Sequence, residues 1–492
     1  APSPTPPLEA SPYLPVTRRF VSPLYLRVED VPEFAYLTGA ARAEIERLGL
    51  EQRARNSADV LLDRDAVWEA KRSALTLVHA VPRSPGREAD YAAFQASEGR
   101  GLRDFATWCA LAEVRGPRWQ EWPGELGDPR SRAVERAADE LAERVDFFCW
   151  LQWVVDGQLG EAHRRAIEAG MSLGVVHDLA VGVHPAGADT WALQDVMAQG
   201  VTVGAPPDAF NQQGQDWSQP PWRPDRLAEA GYLPYRDMLR TVLRHAGGVR
   251  VDHVLGLFRL WWVPEGQSPD AGTYVRYDHE ALIGILALEA HRAGALVVGE
   301  DLGTVEPWVR DYLGSRGILG TSILWFEQDW DQRVPLPPES WRELCLASVT
   351  THDLPPTAGY LAGEHLRIRH ELGLLTRPVE EERRIDAEER RSWLDLLVSR
   401  GWLTEENRDE EQAVIVALHR ALAATPSRLL GVALTDAVGD RRAINQPGTD
   451  EQYPNWQVPL ADGDGRPVLL EDLVGSTRAA TLATAVRAAD GD

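Results

Sequence analysis

The 492-residue sequence contains little cysteine and has a deficit of positive charge. Its three cysteines, Cys109, Cys149 and Cys345, are far apart and offer neither a disulfide framework nor a CxxC metal-binding pattern. Lys and Arg total 51 against 75 Asp and Glu, so the formal charge of −24 disfavours nucleic acid and anionic membranes as partners. No apolar run approaches the roughly 18 residues of a membrane span, and the N-terminus does not resemble a signal peptide. These absences predict a cytoplasmic protein.

The first third of the chain shows two different sequence patterns. With 44% hydrophobic residues, the chain can form one large domain with insertions, or two to three smaller ones. Residues 1–24 are rich in proline and lack periodicity, which is typical of a loop. Residues 30–170 show apolar residues at helical spacing with charged faces between them. We therefore predict that residues 1–170 form an N-terminal loop and a helical subdomain.

Beyond residue 170, short apolar runs alternate with helical segments. The runs lie at 172–181, 248–254, 295–303, 320–327, 345–353 and 429–437. Continuous apolar runs separated by helices are typical of strands in a parallel sheet that is buried on both faces. Most of the runs end in a carboxylate or a histidine, and charge at the carboxyl ends of parallel strands indicates the active site of a barrel.

Two architectures place ligands at the carboxyl ends of parallel strands, a (β/α)8 barrel and an open doubly wound sheet. No GxGxxG or Walker-type glycine loop follows any of the predicted strands, which disfavours the open sheet. We predict an α/β protein of the TIM (β/α)8 barrel type in residues 171–492. Inserted helical material lies near 185–245 and near 362–425. Six strands are visible where a complete barrel needs eight.

Three carboxylates, Asp252, Glu300 and Asp353, stand at the ends of three of the runs. Each pair is separated by enough chain for one βα unit, so a barrel would bring all three to one rim. Two carboxylates that face one scissile bond are what glycoside hydrolysis or transfer requires. Arg250 lies two positions before Asp252 and hence on the same side of the strand, where its cation would keep the aspartate ionised. Glu300 would need a dry site with nearby negative charge to begin the reaction protonated.

The histidines near these strand ends have an alternative interpretation. His177, His253 and His352 together could suggest a metal site. In a barrel, however, they would lie on three strands beside carboxylates suited to bind sugar hydroxyls. We therefore predict that the protein has no metal site and no organic cofactor.

Several motifs resemble those of a known enzyme family. GVRVDH, VVGEDLG and SVTTHD resemble the nucleophile, acid/base and third-carboxylate motifs of the α-amylase superfamily, and more specifically of the 4-α-glucanotransferases of glycoside hydrolase family 77. Four further stretches are similar in the same order, at residues 11–26, 173–181, 204–220 and 445–460. The resemblance covers nearly the whole chain.

The resemblance implies a retaining transglycosylase that transfers α-1,4-glucan segments between maltodextrins, which serve as donor and acceptor. Asp252 would form a covalent glycosyl-enzyme, Glu300 would act as acid and then as base, and Asp353 would stabilise the transition state. The implied carboxyl separation between Asp252 and Glu300 is roughly 5 Å, the retaining value. The implied substrate-binding residues are Arg250, His253, Asp178, His352, Trp217, Asp208, Phe210 and Tyr13.

The sequence also departs from the family pattern. Asp208 is followed by Ala209 where better-known members carry a tyrosine, and the usual GDLP motif around Asp178 reads HDLA. The segments that form the first two barrel strands in the family are missing ahead of residue 11, so we expect a truncated barrel. Two other functions fit the same carboxylates: an α-amylase-type hydrolase, and an inactive or truncated glucan-binding protein.

Overall fold

The structure is a computed structural model that describes residues 3–58, 60–207, 214–303 and 305–487. The chain divides into two compact units. The first comprises Ala1–Gln52 and Arg64–Asp301, and the second comprises Arg53–Asp63 and Leu302–Asp492.

The first unit combines a helical part with two sheets. Its helices are α1 (Gly39–Asn56, whose last turn belongs to the second unit), α2 (Arg64–His79), α3 (Pro85–Arg115), α4 (Arg132–Glu140), α5 (Ala142–Glu168), α6 (Ala188–Ala192), α7 (Pro224–Glu229), α8 (Leu233–Leu243) and α9 (His279–Ala293). Its strands are β1 (Val176–Leu179), β2 (Val201–Ala205), β3 (Gln215–Gln219), β4 (Gly248–Val251), β5 (Arg259–Pro264), β6 (Thr273–Arg276) and β7 (Leu296–Gly299).

The longest helix of the predicted helical region, α3, begins and bends where its sequence specifies. Ser84 caps its first turn by accepting a hydrogen bond from the N–H of Arg87, and Pro85 occupies the first helical position, where no N–H is needed. Gly99 interrupts the helix with φ 60° and ψ −140°, a conformation that glycine adopts readily. The fully buried Trp108 of α3 and Trp150 of α5 lie in the same hydrophobic core.

Three of the predicted strands form a parallel sheet in the order β1–β4–β7. The remaining strands of this unit form an antiparallel sheet in the order β3–β2–β5–β6. The insertion predicted near 185–245 contains helices α6, α7 and α8 together with strands β2 and β3. Both strands are only five residues long, and β2 also pairs with β5, about 60 positions away, which leaves a weak local signal.

The second unit contains the other three predicted strands. Its helices are α10 (Pro307–Ser315), α11 (Thr357–Leu361), α12 (Glu364–Glu371), α13 (Val379–Ser399), α14 (Glu411–Ala423), α15 (Leu434–Val438), α16 (Leu470–Val474) and α17 (Thr477–Arg487). Its strands are β8 (Gly320–Ile323), β9 (Gln328–Asp329), β10 (Val334–Pro335), β11 (Cys345–Ser348) and β12 (Leu429–Gly431). The parallel sheet has the order β12–β11–β8, and β9 pairs antiparallel with β10.

All six predicted strands are shorter than the apolar runs that indicated them, and two of these runs continue into other structure. The run at 320–327 continues after β8 as a 3₁₀ turn over Leu324–Phe326, and the run at 429–437 continues after β12 into helix α15. Leu324 and Ala437, which lie in these continuations, are buried, so their hydrophobicity reflects burial rather than strand geometry.

All six predicted strands are therefore present, three in each unit, and the predicted α/β class is confirmed. The closed barrel and the absence of two strands stay predictions. Of the helices that the structure describes, none is both long enough and apolar enough to span a membrane.

Candidate active site

Strand β4 places Arg250 between two carboxylates. Arg250 lies opposite Asp178 of β1 in the strand register, and Asp252 follows two residues later on the same side of the sheet. Nη1 of Arg250 donates to both carboxylate oxygens of Asp178 at 2.8 and 3.0 Å. The same nitrogen lies 3.0 Å from Oδ1 of Asp252. One guanidinium nitrogen thus links the predicted nucleophile to the neighbouring strand.

The end of strand β7 brings Glu300 level with Asp252. Val251 of β4 lies opposite Gly299 of β7, and the N–H of Glu300 donates to the carbonyl of Val251 at 3.0 Å. Asp252 directly follows Val251 and Glu300 directly follows Gly299, so both carboxylates point to the same side of the sheet. Neighbouring strands are about 4.8 Å apart, so the two side chains start from adjacent backbone positions.

His253 turns the chain at the end of β4. Its backbone lies in the left-handed region, with φ 45° and ψ 60°, which costs about 1–2 kcal/mol for a residue other than glycine. The N–H of His253 donates to Oε2 of Glu300 at 3.0 Å, and the N–H of Val254 donates to the carbonyl of Glu300, also at 3.0 Å. The strained turn therefore holds both the backbone and the side chain of Glu300.

The imidazole of His253 is desolvated. Burial lowers its pKa to about 4, so the ring is neutral at pH 7. The indole of Trp217, in β3, meets this ring edge-on, with ring centroids 5.4 Å apart and planes at 81°. The structure thus places Trp217, a predicted substrate-binding residue, directly beside the end of β4.

Tyr13 reaches the same side of the sheet from the N-terminal loop. Its hydroxyl donates to Oδ2 of Asp178 at 2.6 Å, and its carbonyl accepts a 2.8 Å hydrogen bond from Nε2 of Gln219. Burial, followed by the negative charge of Asp178, raises the pKa of Tyr13, so the hydroxyl remains a donor. Burial acts to lower the pKa of Arg250, but Asp178 and Asp252 outweigh it and raise that pKa.

Arg18 was not among the predicted site residues, although it lies in the segment that resembles the family. A cavity of about 50 Å³ adjoins Asp252 and His253, and Arg18 lies in its wall. Nη1 of Arg18 donates to the carbonyl of Ala180 at 3.2 Å and to that of Val181, just after β1. Burial lowers the pKa of Arg18. Arg18 is one of two adjacent arginines in the segment TRRF, and this pattern gives no sequence signal for a place in the wall of a cavity.

In the second unit, Asp353 has its own set of partners. Nδ2 of Asn445 donates to Oδ1 of Asp353 at 2.7 Å, and Nε2 of His352 lies 3.3 Å from Oδ2. The ring of His352 lies 5.2 Å from that of Trp456. The sequence analysis named neither Asn445 nor Trp456 individually, although both belong to the family-like stretch 445–460.

The segment after Asp353 is held by a buried carboxylate. Oδ1 and Oδ2 of Asp436 accept hydrogen bonds from the N–H and the hydroxyl of Thr357 at 2.9 and 2.7 Å. Asp436 is 1% exposed, and Thr357 starts helix α11 four residues beyond Asp353. Because a buried carboxylate without partners is costly, these bonds fix the start of α11 firmly.

The remaining predictions concern loops and metals. Asp208 and Phe210 lie outside the described residues. His177 points to the opposite side of β1 from Asp178, where its Nδ1 lies 2.7 Å from the carbonyl of Val242 and burial lowers its pKa. Within the described part of the chain, no three His, Cys, Asp or Glu side chains are grouped to hold a metal ion.

Comparisons with known proteins agree with these motifs. The model of the 4-alpha-glucanotransferase family, glycoside hydrolase family 77, matches residues 2–463. The 4-alpha-glucanotransferase of Mycobacterium tuberculosis strain H37Rv is 62% identical, over 98% of this chain and 67% of the relative. That of Haemophilus influenzae is 30% identical, over 94% of this chain and 69% of the relative. The chain thus spans about two thirds of the length of these relatives.

Two solved structures share the fold. The amylomaltase of Corynebacterium glutamicum superposes with a TM-score of 0.91 and 50% identity, over 99% of this chain and 68% of that one. An amylomaltase from Streptococcus agalactiae, solved in complex with acarbose, gives a TM-score of 0.74 at 18% identity, over 98% of this chain and 89% of that one. The chain therefore belongs to the 4-alpha-glucanotransferase family, and the prediction of a glycosyltransferase that acts on α-1,4-glucans is confirmed.

Proposed function

We propose that the chain transfers α-1,4-glucan segments between maltodextrins by a retaining double displacement, with Asp252 as nucleophile and Glu300 as acid and base. The observation that carries this proposal is the position of the two carboxylates, level with each other at the ends of the paired strands β4 and β7. A separation of roughly 5 Å between the carboxyl groups is the value expected for retention.

In the first half-reaction, a carboxylate oxygen of Asp252 attacks the anomeric carbon of the donor. The glycosidic C–O bond breaks as Glu300 gives its proton to the departing oxygen, which leaves as the 4-hydroxyl of the released sugar. Arg250, 3.0 Å from Asp252, favours the ionised form that a nucleophile requires. The product is a glycosyl ester of Asp252.

In the second half-reaction, Glu300 removes the proton from the 4-hydroxyl of an acceptor sugar. The acceptor oxygen then attacks the anomeric carbon and releases the Asp252 carboxylate. The hydrogen bond from the N–H of His253 to Oε2 of Glu300 favours the carboxylate form of Glu300. This bond supports the basic role, because the carboxylate is the form that this step needs.

The other predicted residues would bind substrate or stabilise charge. Asp178 and Tyr13 present an oxygen network on the same side of the sheet as Asp252. We assign sugar contacts to this network and to Arg250, His253 and Trp217. The assignment of transition-state stabilisation to Asp353, and of sugar contacts to His352, Asp208 and Phe210, follows from their motifs.

Two further parts of the proposal concern architecture and location. The (β/α)8 barrel is supported by the parallel strands and by the fold shared with the amylomaltase of Corynebacterium glutamicum. A cytoplasmic location is supported by the three cysteines, which are all buried free thiols.

The test is product analysis after incubation of the chain with maltotriose. We expect glucose together with a ladder of longer maltodextrins, because transfer to an acceptor lengthens chains. Glucose and maltose without longer products would instead show an α-amylase-type hydrolase. The absence of turnover would favour a protein that only binds glucans. An Asp252→Asn variant that binds maltodextrin without turnover is the matched negative control.

A further inference from the structure

The second unit contains a segment whose two ends meet at one buried carboxylate. Asp440 lies two residues after helix α15 and is 3% exposed. Its Oδ1 accepts a hydrogen bond from the N–H of Arg442 at 3.0 Å, and its Oδ2 accepts one from the N–H of Ala461 at 2.9 Å. We call residues 441–461 the closing segment. One side chain therefore joins the beginning of the closing segment to its end.

The guanidinium of Arg442 reinforces this junction. Nε of Arg442 donates to Oδ1 of Asp440 and Nη2 donates to Oδ2, both at 3.0 Å, in the bidentate geometry that arginine forms with a carboxylate. Nη2 of Arg442 also donates to the carbonyl of Pro459. Because a buried charge without partners is costly, the removal of either member of this pair would leave the other uncompensated and weaken the junction.

Hydrogen bonds within the closing segment fix its conformation. The N–H of Trp456 donates to the carbonyl of Ile444, and the hydroxyl of Tyr453 donates to the carbonyl of Ala443, both at 2.8 Å. Trp456 has φ 61°, in the left-handed region that residues other than glycine rarely adopt. Such a conformation persists only where its surroundings determine it, and it is common at functional sites. The closing segment is therefore a defined element of the second unit.

Two side chains of the closing segment contact Asp353 and its neighbour. Nδ2 of Asn445 donates to Oδ1 of Asp353 at 2.7 Å, and the ring of Trp456 lies 5.2 Å from that of His352. Asn445 lies near the beginning of the closing segment and Trp456 lies near its end. A change at the junction formed by Asp440 would therefore displace both contacts.

Asp436, in helix α15, holds the chain that follows Asp353. It accepts the two hydrogen bonds from Thr357 described above, and Nε2 of His419 lies 3.6 Å from its Oδ2. Asp440 follows Asp436 after a single turn and holds the closing segment instead. The stretch 436–440 thus supports Asp353 both through the chain that carries it and through the segment that contacts it.

We propose that Asp440 and Arg442 are positioning residues for Asp353, and that they act through the hydrogen bond from Asn445. The inference rests on the proposed function, because it takes Asp353 to stabilise the transition state. A displacement of about 1 Å caused by a substitution far from the chemistry can lower a rate by about 10²-fold. The junction therefore affects the chemical step more than it affects the binding of substrate.

The first test is steady-state kinetics of the full chain on maltotriose. Asp440→Asn keeps the shape of the side chain but removes its charge, and Arg442→Lys keeps the charge but loses the bidentate geometry. We expect each variant to lower kcat about ten- to hundredfold and to change KM less than about threefold. The matched control is Asp464→Asn, in the same unit, whose carboxylate is 70% exposed and which should leave both constants unchanged. Wild-type kcat in both junction variants would overturn the proposal, as would a loss confined to KM.

A double-mutant cycle distinguishes positioning from a loss of folded protein. Asp440→Asn is combined with Asp353→Asn, and transfer is followed with α-maltosyl fluoride, a reactive donor that keeps slow variants measurable. If Asp440 acts through Asp353, its substitution should lower kcat by less than about twofold in the Asp353→Asn background. A smaller folded fraction would lower kcat equally in both backgrounds, so equal losses would overturn the proposal.

The wild-type chain separates this proposal from the preceding one. A ladder of maltodextrins from the wild type, with unchanged kinetics in the junction variants, would overturn the positioning role and leave the proposed function in place. The absence of a ladder from the wild type would overturn the proposed function and the positioning role together.

Discussion

The backbone N–H of His253 donates a 3.0 Å hydrogen bond to Oε2 of Glu300, although the two residues are 47 positions apart in the chain. The bond exists because His253 adopts φ 45° at the end of β4 while Glu300 follows β7 in the adjacent register position. The predicted acid/base residue is thus positioned by the backbone of the strand that carries the predicted nucleophile.

The first prediction concerns the nucleophile. Asp252→Asn should lower kcat on maltotriose by more than about 10³-fold, because an amide cannot form the glycosyl ester. Turnover is measured by chromatography and folding by circular dichroism. Asp270→Asn, at an exposed site in the same unit, is the control and should leave both unchanged. An Asp252→Asn enzyme that still builds the ladder would refute the assignment.

The second prediction concerns the acid. Glu300→Gln should slow glycosylation by about 10²–10⁴-fold with maltotriose, since the amide has no proton to give. With α-maltosyl fluoride the loss should be much smaller, because fluoride departs without protonation. Pre-steady-state release of the leaving group measures this step. Equal losses with both donors would show that Glu300 is not the acid.

The third prediction concerns Tyr13. Tyr13→Phe removes the 2.6 Å hydrogen bond to Asp178 and should lower kcat/KM about tenfold, the effect of losing one bond to a charged group. Tyr25→Phe is the matched control, because Tyr25 is 71% exposed. Unchanged kinetics in Tyr13→Phe would show that Arg250 alone is sufficient to orient Asp178.

The fourth prediction concerns pH and His253. Its pKa is about 4 in the folded chain and about 6.5 when unfolded, so between these values only the unfolded state binds the proton. Stability is therefore lost as the pH falls from 6.5 to 4, by up to about 3 kcal/mol from this residue. Urea unfolding at pH 7, 5.5 and 4.5 measures the loss.

The control for this prediction is His253→Asn, since asparagine tolerates the left-handed conformation and does not titrate. Its stability should fall less steeply with acid than that of the wild type, by the contribution of His253. Parallel pH profiles for the two proteins would contradict the assignment.

The fifth prediction concerns Glu98 in the first unit. Its side chain is 3% exposed and accepts hydrogen bonds from Arg19, at 2.8 Å, and from Arg244. Glu98→Gln leaves two arginines poorly paired and should cost about 3 kcal/mol of unfolding free energy. The comparison is Glu88, which is 57% exposed and pairs with Arg83, and Glu88→Gln should cost less than about 1 kcal/mol. Equal costs would show that the Glu98 cluster adds no more than a surface ion pair.

The sequence predicted the parallel strands because each lies in a short, largely apolar run between helical segments. LVVG, which forms β7, is wholly apolar, and GVRV, which forms β4, is interrupted only by Arg250. The sequence did not predict the antiparallel sheet that contains β2 and β5. The pairing of these two strands joins residues about 60 positions apart, and the preference of a residue for such a strand depends on its packing partners in the folded protein. A short apolar run can form a strand, a buried turn or part of a helix. The predicted ends of β8 and β12 therefore lie too far along the chain.

The candidate active site also combines contacts that a local sequence pattern predicts with contacts that no local pattern predicts. Arg250 was expected beside Asp252 because two positions along a strand share a face, and the structure places them 3.0 Å apart. The contact of Tyr13 with Asp178 spans 165 positions, and that of Asn445 with Asp353 spans 92, so no local pattern reports either of them. The left-handed turn at His253 is a single-residue feature whose cost is offset by contacts made only in the folded chain.

The ladder between β4 and β7 also constrains how this sequence can evolve. Leu296, Val297 and Val298 can each be exchanged for another apolar residue of similar volume, because the backbone pairing does not depend on which apolar side chain is present. An insertion or deletion of one residue in that strand would carry Glu300 to the opposite side of the sheet. Substitutions here should therefore accumulate among descendants, whereas changes of length should be purged.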